Sequence, residues 1–220
     1  MHLARNSTDE MIDIYDENLK MTGTISRAKA HKMGAWHRTI HIWIVRPINN
    51  GFVLFQKRGP KKALYPNCLD ITAAGHYIHG EGVQDGTREI SEELGINIDF
   101  HQFIPLGIKI DIAKKNKIIN REFCDVFFLK RTESVYKYRL NHPELYGLFQ
   151  ISINDGLRLF SNNLVRVRAE GIEWSHKTNS WIKKTKCLKK SDFFPRIDPY
   201  YLKIFLLAKL LLKNGKHLSI

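Results

Sequence analysis

The chain has 220 residues, 43% of them hydrophobic, and a formal net charge of +13 at pH 7. This length supports the core of one large domain or two small ones. Three cysteines without a C-x-x-C pair exclude a disulfide framework and a structural zinc site, and they favour a reducing, cytoplasmic setting.

The positive charge points to a polyanionic partner such as nucleic acid, anionic lipid or a phosphorylated metabolite. Lysine and arginine cluster at residues 114–117, 164–168 and 183–190. No nucleic-acid-binding motif accompanies them, so solvated basic faces are the alternative. The first twenty residues contain no apolar run, and this argues against a secretory signal.

Hydrophobic periodicity and turn residues predict strands interleaved with a few helices, which is a mixed α/β or α+β domain. A hairpin is expected at 38–47 and 51–58, across the turn at 49–51. Further strands are predicted at 68–75, 103–112, 121–131, 147–152, 165–175 and 178–186, and helices at 83–94 and 152–160.

A C-terminal amphipathic helix is predicted over residues 200–212, with Asp198 as a candidate N-cap and Pro199 in the first turn. It is too short to span a bilayer and contains Lys203 and Lys209. We therefore expect it to pack on the domain, and we expect no membrane partner.

The segment from Arg88 to Gly95 reads REISEELG, and it places Glu89, Glu92 and Glu93 on one helical face. Like charges at this spacing destabilise a helix by roughly 0.2–0.5 kcal/mol per pair. The glutamates also precede the glycine that ends the helix, where the helix dipole disfavours anions. A solvated acidic face is one interpretation; a site that lacks its cation is the other.

These residues resemble the Nudix box, with Gly75, Glu81 and the RExxEExG segment in order. The spacing between Glu81 and Arg88 is one residue shorter than in the motif. The resemblance implies a Nudix α/β/α sandwich with a mixed curved sheet and an added C-terminal helix. It also implies one domain over residues 1–220, with an N-terminal extension (1–37), a Nudix core (38–186) and a C-terminal helical extension (187–220).

The resemblance further implies hydrolysis of a diphosphate linkage with Mg2+ or Mn2+, cations that prefer hard oxygen ligands. Glu89 and Glu93 would be metal ligands, joined by the Gly75 carbonyl. Glu92 would be a metal ligand or the base that activates water. Arg88 would hold the glutamates in position, and Glu81 would support the site from a second shell.

Residues 12–131 are also similar to the Nudix branch that contains isopentenyl-diphosphate isomerase. His31, His37, His76 and Glu122 match metal-site positions of that isomerase, but Asn120 replaces its second glutamate. Ala74 stands where the isomerase has its catalytic cysteine, whereas all three helix glutamates are present. We therefore expect a hydrolase.

Several of the matching residues have a plainer interpretation. His37 and His76 either bind metal or hydrogen-bond backbone near the site. Glu122 is a further catalytic carboxylate or forms an ion pair with a nearby lysine. Arg58 and Lys62 align with diphosphate-binding positions, although they also lie in an ordinary basic turn.

Three functions follow from these residues. The first is a metal-dependent hydrolase acting on a nucleoside diphosphate derivative or a related organic diphosphate. The second is isopentenyl-diphosphate isomerase, and the third is a non-catalytic module that binds nucleic acid or protein. The expected partner is a small-molecule diphosphate; nucleic acid lacks a supporting motif, and a homodimer is left open.

Overall fold

The computed structural model describes residues 10–115 and 118–220. The strands are β1 (Met11–Tyr15), β2 (Met21–Ser26), β3 (Trp36–Arg46), β4 (Phe52–Arg58), β5 (Leu69–Asp70), β6 (Ala73–His76), β7 (Ile104–Lys115), β8 (Ile118–Lys130), β9 (Leu145–Ser152), β10 (Val167–Ser175) and β11 (Ser180–Leu188). The α-helices are α1 (Arg27–Met33), α2 (Thr87–Leu94), α3 (Ile153–Phe160) and α4 (Tyr200–Leu212).

The strands form one mixed sheet in the order β11-β10-β9-β4-β3-β1-β2. Strand β5 pairs with β4, β6 and β8 pair with β3, and β7 pairs with β8. The β3–β8 pairing is parallel, and the other pairings are antiparallel. The mixed sheet agrees with the expected fold class.

The sheet divides between β3 and β4. These strands pair only at Val45–Val53 and Arg46–Phe52, immediately beside the predicted turn. Beyond that point the Thr72 hydroxyl accepts the Ile44 N–H at 3.1 Å and donates to the Leu54 carbonyl. Because Thr72 bridges the two strands where their own ladder stops, β5 and β6 enter the gap, and the sheet opens there.

Helices cover both faces of the sheet, each over its own apolar core. The larger core joins the sheet to α3 and α4 and contains Trp43, Phe55, Phe149, Tyr200 and Phe205. The smaller core joins the sheet to α2 through Ile90 and Leu94. As expected, α4 packs on the domain; within the described residues no helix has the length and apolarity needed to cross a membrane.

Three sequence-based boundaries were wrong. The helix expected at 83–94 begins at Thr87, and Gly86 is its N-cap. Residues 82–86 form a turn in which the Gly82 N–H donates to the Asp85 carboxylate at 2.8 Å. This local hydrogen bond competes with a helical start.

The second wrong boundary is the single strand expected at 68–75, which Thr72 divides into β5 and β6. The third is the N-cap of α4, which is Pro199 rather than Asp198. The Asp198 carboxylate instead contacts Lys109 at 3.2 Å and Lys203 at 3.3 Å.

By contrast, the helix predicted at 152–160 is present as α3, and the Ser152 hydroxyl accepts the Asp155 N–H at 3.1 Å. Residues 116 and 117 of the lysine-rich turn lie outside the described residues.

Candidate active site

Helix α2 directs its three glutamates to different depths. Ile90 and Leu94 are buried against the sheet, so the neighbouring positions Glu89 and Glu93 face β6. The Glu93 carboxylate accepts the Ala74 N–H at 3.2 Å, and the residue is only 8% exposed. The side chain of Glu92, in contrast, is 54% exposed.

Glu89 lies directly against the backbone of Gly75. A Cβ atom added to Gly75 would stand 1.9 Å from the Glu89 carboxyl carbon and 2.2 Å from both of its oxygens. The absence of a side chain at residue 75 therefore creates the space for this carboxylate. The position of the Glu89 carboxylate therefore requires glycine at residue 75.

Arg88 connects the acidic residues to one another. Its guanidinium donates two hydrogen bonds to Glu81, at 3.1 and 3.2 Å, and one to Glu92 at 3.1 Å. It also contacts the Glu89 carboxylate at 3.0 Å and the His76 carbonyl at 3.3 Å. Glu81 in turn accepts the Ile78 N–H at 2.8 Å, which fixes the loop before the helix.

Burial disfavours the ionised forms of Glu89 and Glu93 when no cation is bound. It raises the pKa of Glu89 to about 7, even though the Arg88 guanidinium opposes the shift. Burial and the neighbouring Glu89 carboxylate raise the pKa of Glu93 well above its usual range. A divalent cation between these oxygens would offset both effects, so the carboxylates fit a Mg2+ or Mn2+ ion.

A cavity of about 420 Å³ opens where the sheet divides, and Glu93, Gly75, His76 and Glu122 line it. Five cationic side chains also line it: Arg27, Arg58, Lys61, Lys62 and Arg196. Positive charge concentrated in a cleft attracts anionic ligands. Neither Glu89 nor Glu92 is among the lining residues; Glu89 lies behind Gly75, and Glu92 faces solvent.

The two predicted phosphate-binding residues differ in how firmly they are held. Arg58 donates to the Asp70 carboxylate at 3.1 Å and to the Leu64 carbonyl at 2.9 Å. The Lys62 ammonium contacts the exposed Glu144 at 2.9 Å, and the Lys62 side chain is 39% exposed. Arg58 is thus anchored at the cavity wall, whereas Lys62 lies at its rim.

Sequence reasoning missed Arg196, which the C-terminal segment inserts into the cavity wall. Its guanidinium bonds the carboxylates of Asp70 and Asp111, and all three side chains are buried. Burial alone would raise the pKa of Asp70, but the Arg196 and Arg58 guanidiniums outweigh it and hold that pKa below its usual range. The only signal was a lone FFPR stretch at 193–196, remote in sequence from every other site residue.

Three histidines form a second donor cluster beside Glu122. The Nε2 atoms of His31 and His76 are 3.1 Å apart, and the three ring centroids lie 5.0–5.1 Å from one another. The Glu122 carboxylate lies 3.7 Å from Nε2 of both His37 and His76. Among the described residues Glu122 thus contacts histidines rather than a lysine, because β8 pairs in parallel with β3 and sets Glu122 opposite His37.

The protonation of His37 follows from its neighbour. Its Nδ1 lies 2.8 Å from the Ala35 carbonyl, which can only accept, so Nδ1 carries the proton. The buried Nε2 faces the cluster, and it has no hydrogen-bond partner among the described residues. One nitrogen of His37 therefore hydrogen-bonds backbone, and the other faces the cluster, where metal binding stays a prediction.

The cluster fits a transition-metal ion. Burial lowers the pKa of His31 to about 4, with the charge of His37 a smaller cause, and burial also holds the pKa of His76 well below its usual range. Three imidazoles with converging nitrogens, with one carboxylate beside them, are a donor set common in tetrahedral metal sites. Asn120 adds a buried amide oxygen without a described partner, and Ala74 lines the cavity with a methyl group.

The chain was compared with known proteins, and no family model matches it. It is 38% identical over 194 residues to an uncharacterized Nudix hydrolase of Clostridium acetobutylicum, covering 88% of this chain and 94% of that protein. It is 25% identical over 153 residues to an isopentenyl-diphosphate Delta-isomerase of Salmonella arizonae, covering 69% of this chain and 81% of that protein.

Among solved structures, its fold is similar to that of a Deinococcus radiodurans protein. The TM-score is 0.54 at 20% sequence identity, over 70% of this chain and 90% of that chain. At this identity the likeness concerns the fold alone.

Proposed function

The chain belongs to the Nudix hydrolases, enzymes that act on phosphoric anhydrides, and from that premise we propose that it hydrolyses a nucleoside diphosphate derivative or a related organic diphosphate with the help of divalent cations. The observation that carries the proposal is the buried Glu93 carboxylate, which lines a cavity surrounded by cationic side chains. Burial and the neighbouring Glu89 carboxylate disfavour the ionised form of Glu93, and a cation bound between the two carboxylates would remove that cost.

Each helix residue has a distinct part in this proposal. Glu89 and Glu93, with the Gly75 carbonyl, would hold Mg2+ or Mn2+, which when bound neutralises phosphate charge and lowers the pKa of water. Arg88 would position the acidic residues from outside the cavity. Its guanidinium contacts the carboxylates of Glu81, Glu89 and Glu92, and it does not line the cavity.

The remaining residues would orient the substrate and the water. Arg58 and Lys62 would bind the diphosphate oxygens, one from an anchored and one from an exposed position. Glu92, being exposed, can exchange protons with solvent or complete the cation site. Glu122 would be a further proton acceptor within the same cavity, or a ligand of a metal ion bound by the histidine cluster.

A panel of nucleoside diphosphate derivatives and organic diphosphates, incubated with Mg2+ or Mn2+, tests the proposal through release of a monophosphate. Glu93→Gln should lower turnover by about 100-fold or more, because an amide replaces a charged ligand. Glu17→Gln makes the same chemical change at an exposed residue and should have no effect. Full activity of Glu93→Gln, or activity without added metal, would refute the assignment.

Isopentenyl-diphosphate isomerisation is the second candidate, and the histidine cluster beside Glu122 favours it. The reaction needs a proton donor and a proton acceptor on opposite faces of the carbon skeleton, and Ala74 offers no ionisable group. We therefore expect no dimethylallyl diphosphate from isopentenyl diphosphate. Detection of that product from the unmodified protein would reverse the choice between the two functions.

The histidine cluster can be tested without an activity assay. If it binds a transition-metal ion, elemental analysis of the dialysed protein should find one equivalent, and His37→Ala should abolish it. The exposed His101 offers a matched control, because His101→Ala removes an imidazole far from the cluster in sequence. Equal metal content in both variants would contradict the site.

A further inference from the structure

Strand β7 is a long edge strand, and little of its outer backbone is hydrogen-bonded to other described residues. It pairs with β8 along its length, and within the described residues the only backbone contact on its other side is the Ile220 N–H, which donates to the Leu106 carbonyl at 2.9 Å. From residue 108 onward no further strand pairs with the outer edge among the described residues, and the Ile110 carbonyl accepts a hydrogen bond from the Lys109 ammonium at 2.9 Å. Such an edge is a template for another strand.

On β7 the apolar side chains are exposed and the charged side chains are buried, which is the reverse of the usual pattern on a strand that faces solvent. Ile108, Ile110 and Ile112 are 47%, 53% and 37% exposed, whereas Lys109 and Asp111 are buried. The charged pair is buried because the C-terminal segment covers that face and supplies Arg196 and Asp198. Three consecutive outward positions are thus isoleucine.

The apolar surface continues beyond β7 at Ile110. Ile110 is paired with Phe123 of β8, and residues directly opposite in a sheet share a face. Trp36 of β3 stacks on Phe123 with ring centroids 4.7 Å apart. Phe123 and Trp36 therefore flank Ile110 on this face, whereas Ile108 and Ile112 lie opposite Asp125 and Arg121 of β8.

The edge strand β11 shows how this chain protects an edge that stays free. Its exposed residues include Lys183 and Lys184, and its exposed large apolar residue is Ile182 alone. Lysine on an edge strand opposes further pairing. Residues 108–112 of β7 have no outward charge of this kind, so the two edges are built for different surroundings.

We infer that β7 pairs with β7 of a second copy of this chain, antiparallel and across a two-fold axis, which joins the two sheets into one. The axis passes through Ile110, because this register sets Lys109 opposite Asp111 and Ile108 opposite Ile112. Registers centred on Lys109 or Asp111 would set like charges directly opposite each other, which is destabilising. The pairing is isologous and closes at the dimer.

Sedimentation and light scattering of the full chain test the assembly. We expect a mass twice the 25.7 kDa of the chain. Ile110→Lys sets two ammonium groups against each other on the axis and should convert the dimer to a monomer. Leu210→Lys changes an equally exposed apolar residue on α4, 49% exposed, and should leave the dimer intact. A monomeric wild-type chain, or a dimeric Ile110→Lys variant, would overturn the inference.

A cross-linking experiment tests the register independently and does not require the lysine variant to fold. In a Cys187→Ser background, Ile110→Cys should form an intermolecular disulfide with diamide, because Cβ atoms directly opposite in an antiparallel pair approach to about 4.5 Å, within the span of a disulfide. Ile108→Cys alone should not cross-link, but it should do so when mixed with Ile112→Cys. Absence of the Ile110→Cys disulfide, or equal cross-linking by Ile108→Cys alone, would contradict this axis.

Discussion

Gly75→Ala should disable the site through a single methyl group. The added Cβ would lie 1.9 Å from the Glu89 carboxyl carbon, whereas ordinary contacts begin near 3.4 Å, so the carboxylate must move by about 1.5 Å. That movement also breaks its 3.0 Å contact with Arg88. Misplacement of a reacting group by about 1 Å can cost on the order of 100-fold in rate, or about 2.7 kcal/mol of transition-state stabilisation.

The assay is kcat/KM on the best substrate of the panel, together with Mn2+ affinity from calorimetry. We expect kcat/KM to fall about 100-fold and Mn2+ binding to weaken, with little loss of thermal stability, because alanine is compatible with an extended strand. Gly82→Ala is the matched control, since its Cβ would have only an ordinary 3.7 Å contact with Asp85. Wild-type Mn2+ affinity and kcat/KM in Gly75→Ala would refute the steric argument.

Three further changes test other parts of the structure. Arg88→Lys should weaken Mn2+ binding about 10- to 100-fold in a calorimetric titration, because an ammonium cannot reproduce the forked contacts to several carboxylates; unchanged affinity would contradict the positioning role. Gly86→Ala should lower the free energy of unfolding in urea by about 1–3 kcal/mol, because its Cβ would stand 2.8 Å from Ile40 and Tyr77. The lowered pKa of Asp70 contributes stability above its unfolded value of 3.8, and this contribution is lost as the pH falls further. The stability difference between the wild type and Asp70→Asn should therefore shrink below about pH 4, and a difference independent of pH would show that the ion pair is not its source.

Local patterns predicted most elements of this fold. Alternating apolar residues located β3, β7 and β8, and Ser152 marked the start of α3, because these signals depend on neighbours in sequence. The start of α2 was missed because the Gly82 N–H donates to the Asp85 carboxylate and forms a turn before Thr87, a hydrogen bond that apolar periodicity does not register. The division of the predicted 68–75 strand likewise depends on Thr72 bridging two other strands.

The sequence by itself determined the row of helix glutamates and the glycine that must accompany it. Residues spaced i, i+3 and i+4 share a face in any helix, so Glu89, Glu92 and Glu93 could be grouped before any tertiary contact was known. Their spacing could not determine how deeply each glutamate side chain is buried. Only packing of Ile90 and Leu94 decided that Glu93 is buried in the cavity while Glu92 faces solvent.

Only the tertiary structure assembled the rest of the site. The histidine cluster combines residues from α1, β3 and β6 with Glu122 of β8, and His31 and His76 meet across 45 positions of sequence. Arg196 reaches Asp70 across 126 positions. Such contacts are set by which strands pair and where the C-terminal segment packs, and these choices depend on the free energy of the whole core rather than on any single stretch of residues.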